Sequence, residues 1–203
     1  VGSKSWSTSA AFFDYDRDGW LDLFVCNYIR WSKKFEIPCV VDDQYLFYCP
    51  PFAYAGASNR LYRNDRNGTF EDVTVQAGVY NPKGKSLGVT LLDYDDDGWL
   101  DLAVANDTEP NFLYHNNCDG TFTNEAPWKG VAVSEKGTAR AGMGIDATDV
   151  HNDGGLALTI GNFSDEMTAF FYASPKDAFS DLARSVKIGS ASLPTVTFGL
   201  FFF

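Results

Sequence analysis

Short apolar runs recur along the chain, and the two clearest follow acidic turns. In residues 21–26 and 100–105, side chains on both parities are apolar, apart from an aspartate at the second position of each run. A strand with one solvated face alternates apolar and polar residues, so these runs predict strands that are buried on both faces. Similar runs surround them, and each undisturbed period offers four strand candidates. The pattern predicts an all-β fold.

The runs belong to an internal repeat whose landmarks keep one register. Gly88 and Gly144 each precede the first aspartate of an acidic loop by five residues, and an asparagine follows that aspartate by thirteen residues at Asn27, Asn106 and Asn162. Leu-Tyr-x-Asn followed by Gly-Thr-Phe recurs at 61–70 and 113–122, and is eroded at 170–179. Four strands per period of this length predict propeller blades. The predicted repeats are 1–87, with an insert at about 28–59, then 88–143, a degenerate third repeat at 144–198, and the first strand of a truncated next repeat at 199–203.

One acidic nonapeptide occurs twice, at residues 14–22 and 93–101, with aspartates at positions 1, 3, 5 and 9 and glycine at position 6. Carboxylates this close repel one another unless a cation lies between them, and oxygen donors favour calcium. A solvated acidic turn is the alternative for one copy, and the repetition favours the metal. Valine at position 12 of both copies argues against an EF-hand loop, which needs a carboxylate there. The predicted ligands are Asp14, Asp16, Asp18, the carbonyl of Trp20 and Asp22 in the first loop, and Asp93, Asp95, Asp97, the carbonyl of Trp99 and Asp101 in the second.

The third loop, at residues 149–157, has lost the carboxylates at positions 3 and 9 and keeps Asp149 and Asp153. Since the number of anionic ligands sets calcium affinity, we expect this site, formed by Asp149, His151 and Asp153, to be weak or empty. His151 lacks a second histidine or cysteine at metal-ligand spacing, which indicates a solvated loop histidine instead of a zinc ligand.

The insert differs from the repeat in composition. It carries Cys39 and Cys49 among prolines and aromatic residues, which predicts a compact loop closed by a disulfide in an oxidising compartment; two unrelated thiols are the alternative. Cys26 lies in an apolar run and is predicted to be a buried, inert thiol. The sequence assigns no partner to Cys118.

Charge and motifs narrow the classes of function. The net charge of -11 argues against a nucleic-acid partner, because a protein that binds nucleic acid needs a basic face. No apolar run approaches the length of a membrane span. Neither histidine accompanies a nucleophile at a spacing typical of catalysis, and carboxylates that bind calcium cannot also act as a general acid and base. These observations predict a protein that is not an enzyme.

The acidic loops, the Leu-Tyr-x-Asn and Gly-Thr-Phe landmarks and the cysteine insert together resemble the FG-GAP (VCBS) repeat family, found as calcium-loop blades in integrin α-subunits and secreted bacterial proteins. The combination looks most like the cartilage acidic protein and ASPIC/UnbV branch. The resemblance covers essentially the whole chain. It implies a β-propeller fragment of about three four-stranded blades, with calcium loops in the blade hairpins.

This resemblance implies a calcium-binding, non-catalytic binding or adhesion scaffold that is secreted, periplasmic or on the cell surface, with a protein or glycan ligand. One alternative is a lectin-like propeller that uses Trp6, Trp31 or Trp128 as stacking platforms. Another is the non-catalytic part of a polysaccharide-active propeller enzyme. Closed propellers need at least about four blades, so we expect contacts with further blades of a longer chain.

Overall fold

A computed structural model describes residues 4–42 and 44–203. Within them, antiparallel sheets dominate and the helices are short. The strands are β1 (Ser7–Phe13), β2 (Asp22–Asn27), β3 (Cys39–Val41), β4 (Tyr45–Phe47), β5 (Arg60–Asn64), β6 (Phe70–Asp72), β7 (Ser86–Leu92), β8 (Asp101–Asn106), β9 (Phe112–Asn116), β10 (Phe122–Asn124), β11 (Gly142–Thr148), β12 (Leu156–Asn162), β13 (Ala169–Ala173) and β14 (Ser180–Asp181). The helices are α1 (Ala126–Lys129) and α2 (Ile188–Ser192), and 3-10 turns cover Lys33–Phe35 and Pro51–Ala53.

Three four-stranded sheets form successive blades of a β-propeller fragment. Their strand orders are β1-β2-β5-β6, β7-β8-β9-β10 and β11-β12-β13-β14. They occupy residues 7–72, 86–124 and 142–181, so the second and third sheets each begin two residues before the predicted repeats at 88–143 and 144–198. The first strands β1, β7 and β11 contact one another in that order, as the inner strands of a propeller do. The predicted fold class is confirmed.

The asparagine landmarks hold the connection between the second and third strand of each blade. The side-chain amide of Asn27 donates to the carbonyl of Ser58, and that of Asn106 donates to the carbonyl of Pro110 at 2.7 Å. The amide of Asn162 donates in the same way to the carbonyl of Met167. A buried amide that closes a loop satisfies a carbonyl that would otherwise lack a partner. This shared role explains why the residue recurs in register.

The hydrophobic core lies between the blades. On β8, Leu102 and Val104 pack toward the first blade, while Ala103 and Ala105 pack toward the third. All six residues of β8 are buried, which confirms the predicted strand with two buried faces. Each blade therefore needs its neighbour to cover its apolar surface, as repeat proteins generally do.

The insert forms a two-stranded ribbon, β3-β4, joined by a disulfide between Cys39 and Cys49. The predicted disulfide is confirmed. The thiol of Cys26 is fully buried in the core between the first two blades, also as predicted. In the part of the chain that the structure describes, no helix is long and apolar enough to cross a membrane.

The predicted strand at 199–203 is wrong, because this segment belongs to no strand. The amide of Gly144 donates to the carbonyl of Thr197 at 3.3 Å, and the amide of Phe202 donates to the side chain of Asp146 at 2.7 Å. These two bonds attach the segment to β11, which forms its own ladder with β12. The segment runs beside β11 without forming a regular ladder.

Gly88 marks a close approach between two inner strands. A Cβ atom at this position would lie 2.5 Å from the carbonyl oxygen of Met143 on β11, a distance that requires the backbone to move. At Gly199, which shares its register, a Cβ would meet nothing within 4 Å. We therefore expect Gly88→Ala to lower the free energy of unfolding by about 1–3 kcal/mol and Gly199→Ala to leave it nearly unchanged. Chemical denaturation of both variants measures this, and equal effects would contradict the close packing of β7 on β11.

Candidate metal centres

The three acidic loops join the first and second strands of their blades and share one backbone conformation. The fourth position is left-handed in each, at Arg17, Asp96 and Asn152, with φ of 58°, 58° and 54°. The glycine at position 6 also has a positive φ in each, at Gly19, Gly98 and Gly154. Glycine adopts such φ values at little cost, which is its reason for being there. Similar sequences thus fold into the same turn.

The first loop gathers three of its four aspartates. Asp14 accepts hydrogen bonds from the amides of Asp18 and Gly19, at 3.0 and 2.8 Å, which fixes its carboxylate inside the turn. Asp14, Asp16 and Asp18 each offer an oxygen within 4.8 Å of the other two. Such a set of carboxylate oxygens is the donor chemistry that calcium prefers.

The position-nine aspartates bind backbone amides and are fully buried. Asp22 accepts from the amides of Tyr15 and Asn64, at 3.2 and 2.8 Å, and so connects the loop to β5. Asp101 accepts in the same way from Tyr94 and from Asn116 on β9. Sequence reasoning missed the two asparagines as partners, although their recurrence in the Leu-Tyr-x-Asn landmark was the available signal. Each position-nine carboxylate, itself on the second strand of its blade, therefore joins the acidic loop to the third strand.

The second loop brings a different set together. Asp93, Asp95 and Asp101 form one group of oxygens within 4.8 Å of each other, and Asp97 instead groups with Asp95 and His115. One oxygen of Asp95, Oδ1, is buried and has no hydrogen-bond partner among the described residues. An unpaired buried carboxylate oxygen is costly unless a cation satisfies it. The residues of this loop therefore fit a calcium ion.

Burial makes three of the loop carboxylates, those of Asp16, Asp22 and Asp101, harder to ionise. It raises the pKa of Asp22 to about 6 and that of Asp101 to about 7, despite the amides that each accepts. Burial and then the nearby Asp18 also raise the pKa of Asp16. A divalent cation among these oxygens would favour the ionised form and lower the pKa values again.

The two loops differ in the side chains that flank them from the third strand and its turn. In the first blade, Arg66 binds Asp18 at 2.6 Å, and this hydrogen bond lowers the pKa of Asp18. In the second blade, Nδ1 of His115 lies 3.3 Å from Asp101 but is not aligned for a hydrogen bond. Sequence reasoning did not place His115 beside the acidic loop. The available signal was that histidine, a metal-ligand residue type, stands in the second repeat where the first repeat has Arg63.

Contacts also link the first loop to the second. Arg17 donates to the carbonyl of Gly98, and its guanidinium stacks on the ring of Trp99 at 4.1 Å from the centroid. In return, the side-chain amide of Asn116 donates to the carbonyl of Tyr15 at 2.9 Å. The two candidate centres are therefore parts of one contact network.

The third loop keeps the fold of the other two but does not gather its ligands. Asp149 accepts from the amides of His151, Asp153 and Gly154, like the first aspartates of the other loops. Among the described residues, Asp149, His151 and Asp153 do not form a group of converging ligand atoms. Asp153 instead lies near the hydroxyl of Tyr172. Position 9 is a buried alanine, so the carboxylate that would connect the loop to the third strand is missing.

The repeats and their acidic hairpin loops define a propeller of the FG-GAP class. The profile of the FG-GAP-like repeat matches residues 46–104 and 93–158, and the chain belongs to this family.

Among curated proteins, human cartilage acidic protein 1 is 32% identical over 114 residues, which is 55% of this chain. The mouse protein of the same name is 29% identical over 106 residues, or 52% of this chain. The aligned part covers 16% of the length of each relative.

The raised pKa values predict a site-specific response to pH and calcium. Asp22 and Asp101 bind protons more tightly in the folded chain than in the unfolded chain. They therefore contribute stability at about pH 4 that is lost as pH rises through about 6 and 7. Carboxyl-carbon NMR titrations in calcium-free buffer should show both raised values, and added calcium should lower them. Ordinary carboxyl pKa values for Asp22 and Asp101 in calcium-free buffer would contradict the prediction.

Proposed function

We propose that the two complete loops bind calcium and that the ions stabilise the blades of an extracellular, non-catalytic binding scaffold. The observation that carries the proposal is the convergence of carboxylates at the same hairpin of two successive blades, with the buried Asp95 Oδ1 unpaired among the described residues. Asp14, Asp16, Asp18 and Asp22 would hold one ion, and Asp93, Asp95, Asp97 and Asp101 the other. The backbone carbonyls of Trp20 and Trp99 remain predicted ligands.

The role of the ion is structural. It supplies positive charge between carboxylates that repel one another, while the chain provides the hydrogen bonds that orient them. Because Asp22 and Asp101 each accept one amide from the loop and one from the third strand, stabilising their ionised forms stabilises the junction of loop and blade. Calcium sites of extracellular modules have dissociation constants of about 0.1–1 mM, and we expect values in that range. The Cys39–Cys49 disulfide supports an oxidising compartment.

A matched pair of variants tests the calcium sites. Asp95→Asn removes a predicted ligand, whereas Asp96→Asn removes the same charge from the exposed neighbour, whose left-handed φ of 58° asparagine also adopts. We expect calcium to raise the melting temperature of the wild type and of Asp96→Asn, and to raise that of Asp95→Asn distinctly less. Calorimetry in calcium-free and calcium-containing buffer measures the difference. An equal calcium effect on all three proteins would contradict the proposal.

The insert ribbon presents a surface suited to a protein partner. Leu46, Phe47 and Tyr48 are 80%, 66% and 90% exposed. Contiguous apolar residues on a soluble domain commonly mark contacts with other proteins. The disulfide at the base of the ribbon holds these side chains together. This surface supports a protein as the ligand of the scaffold.

A glycan is the second candidate, favoured by a cavity of about 470 Å³ at the ends of the inner strands. Trp6 lines it, is 49% exposed and contacts Trp31, with ring centroids 5.8 Å apart. Tyr28 also lines the cavity and donates its hydroxyl to the carboxylate of Asp107. Aromatic faces beside a few fixed polar groups are suited to stacking and orienting sugar rings. Trp128, on α1, is not part of this cavity.

Tryptophan substitutions test the glycan site. Neutral oligosaccharides such as cellotetraose and chitotetraose should quench the tryptophan fluorescence of the wild type. Trp6→Ala should abolish saturable quenching because it removes the stacking surface, while Trp128→Ala, at a residue that is 77% exposed, should retain it. Fluorescence titration of the three proteins measures this. Saturable quenching that survives Trp6→Ala would place any sugar site elsewhere.

A further inference from the structure

The second loop is flanked by two metal-ligand residue types where the first loop has arginines. In the aligned repeat, His115 takes the place of Arg63 and Cys118 takes the place of Arg66. The turn geometry is the same, since Cys118 and Arg66 both have a φ of 62°. The two blades thus use one scaffold to present different chemistry beside nearly identical acidic loops.

His115 and Cys118 both lie close to the carboxylates of the second loop. His115, Asp95 and Asp97 each offer a ligand atom within 4.8 Å of the other two. The Nδ1 atom of His115 is buried and has no hydrogen-bond partner among the described residues, and the same holds for Asp95 Oδ1. The thiol of Cys118 lies 3.4 Å from Asp97 Oδ2. His115, Asp95 and Asp97 therefore converge on one point, and the thiol of Cys118 borders this group through its contact with Asp97.

This donor set does not match calcium, which takes oxygen ligands almost alone. Imidazole and thiolate favour zinc and related transition metals, and carboxylates complete such sites at similar bond lengths. In the first blade, the cationic side chain of Arg66 instead approaches Asp18 and would repel a second metal ion. The difference between the loops thus lies in the flanking residues, while the acidic nonapeptides are nearly the same.

We propose that the second loop binds a transition-metal ion, with zinc as the best match, through His115, Cys118, Asp95 and Asp97. The thiol of Cys118 releases its proton to solvent when it binds the ion. Asp95 belongs to both ligand groups, so occupancy by zinc and occupancy by calcium are coupled at this loop. The first loop, flanked by arginines, does not share this property. The zinc site rests on His115 and Cys118 and goes beyond the calcium proposal.

The experiment uses the whole 203-residue chain, stripped of metal and handled under nitrogen without reductant, so that the Cys39–Cys49 disulfide stays intact. Zinc chloride is titrated into the wild type, H115R, C118R and C118S, with isothermal calorimetry as the measurement. H151A is the matched control because His151 is the other histidine of the chain. We expect the zinc affinity of H115R, C118R and C118S to fall at least about tenfold and that of H151A to stay unchanged.

Cobalt chloride provides a spectroscopic measurement of the same site. Cobalt bound by a thiolate absorbs in the near ultraviolet through charge transfer from sulfur. This band should form in the wild type and in H151A and should be absent from C118S. Zinc binding that is unchanged in both H115R and C118S, or no zinc binding by the wild type, would overturn the proposal.

Calcium melts of the same variants separate this proposal from the calcium function. A calcium-induced rise in melting temperature shows that H115R and C118S are folded and that their calcium sites work. If this rise persists while zinc fails to bind the wild type, the zinc site is wrong and the calcium function stands. If zinc binds and calcium has no effect on any variant, the calcium function is wrong and the zinc site stands.

Discussion

The structure depends on a buried carboxylate that accepts backbone amides from two different places in the chain. Asp22 joins its own loop to β5, and Asp101 joins its loop to β9. Ionisation of these groups is unfavourable in the dry interior. A nearby positive charge offsets that cost and so stabilises the junction between loop and strand. This explains how an ion near the surface can stabilise a whole blade. A calcium ion bound as proposed would act on the residue that joins the acidic loop to the third strand of the blade.

Local spacing was enough to predict the loops and the strands. Glycine at position 6, the aspartates around it and the two-faced apolar runs are set by neighbours within a few residues, and β8 has the expected burial on both sides. The partners of the position-nine aspartates could not be read in this way. Asn64 is 42 residues from Asp22, and only the pairing of β2 with β5 brings them together. The register of residues 199–203 predicted a strand, but register alone supplies no pairing partner, and these residues form no strand in the structure.

The repeats are similar in framework and different in chemistry. Each blade buries its faces against its neighbours, and Gly88 lets the inner strands approach closely enough for that. Because the buried strand residues provide the packing, the residues that flank each acidic hairpin differ between the blades. Arginines flank the first loop, a histidine and a cysteine flank the second, and the third has lost its position-nine carboxylate altogether. Function in this fold thus depends on a few positions beside a constant turn.

The crossed contacts between the first two hairpins have a thermodynamic consequence. Arg17 reaches from one hairpin to the other, and Asn116 reaches back to Tyr15. Restricting the backbone of either hairpin therefore reduces the conformational entropy that the other still has to lose. If both hairpins bind calcium as proposed, the two ions would bind with positive cooperativity, and the pair would respond to the ion concentration more steeply than two independent sites.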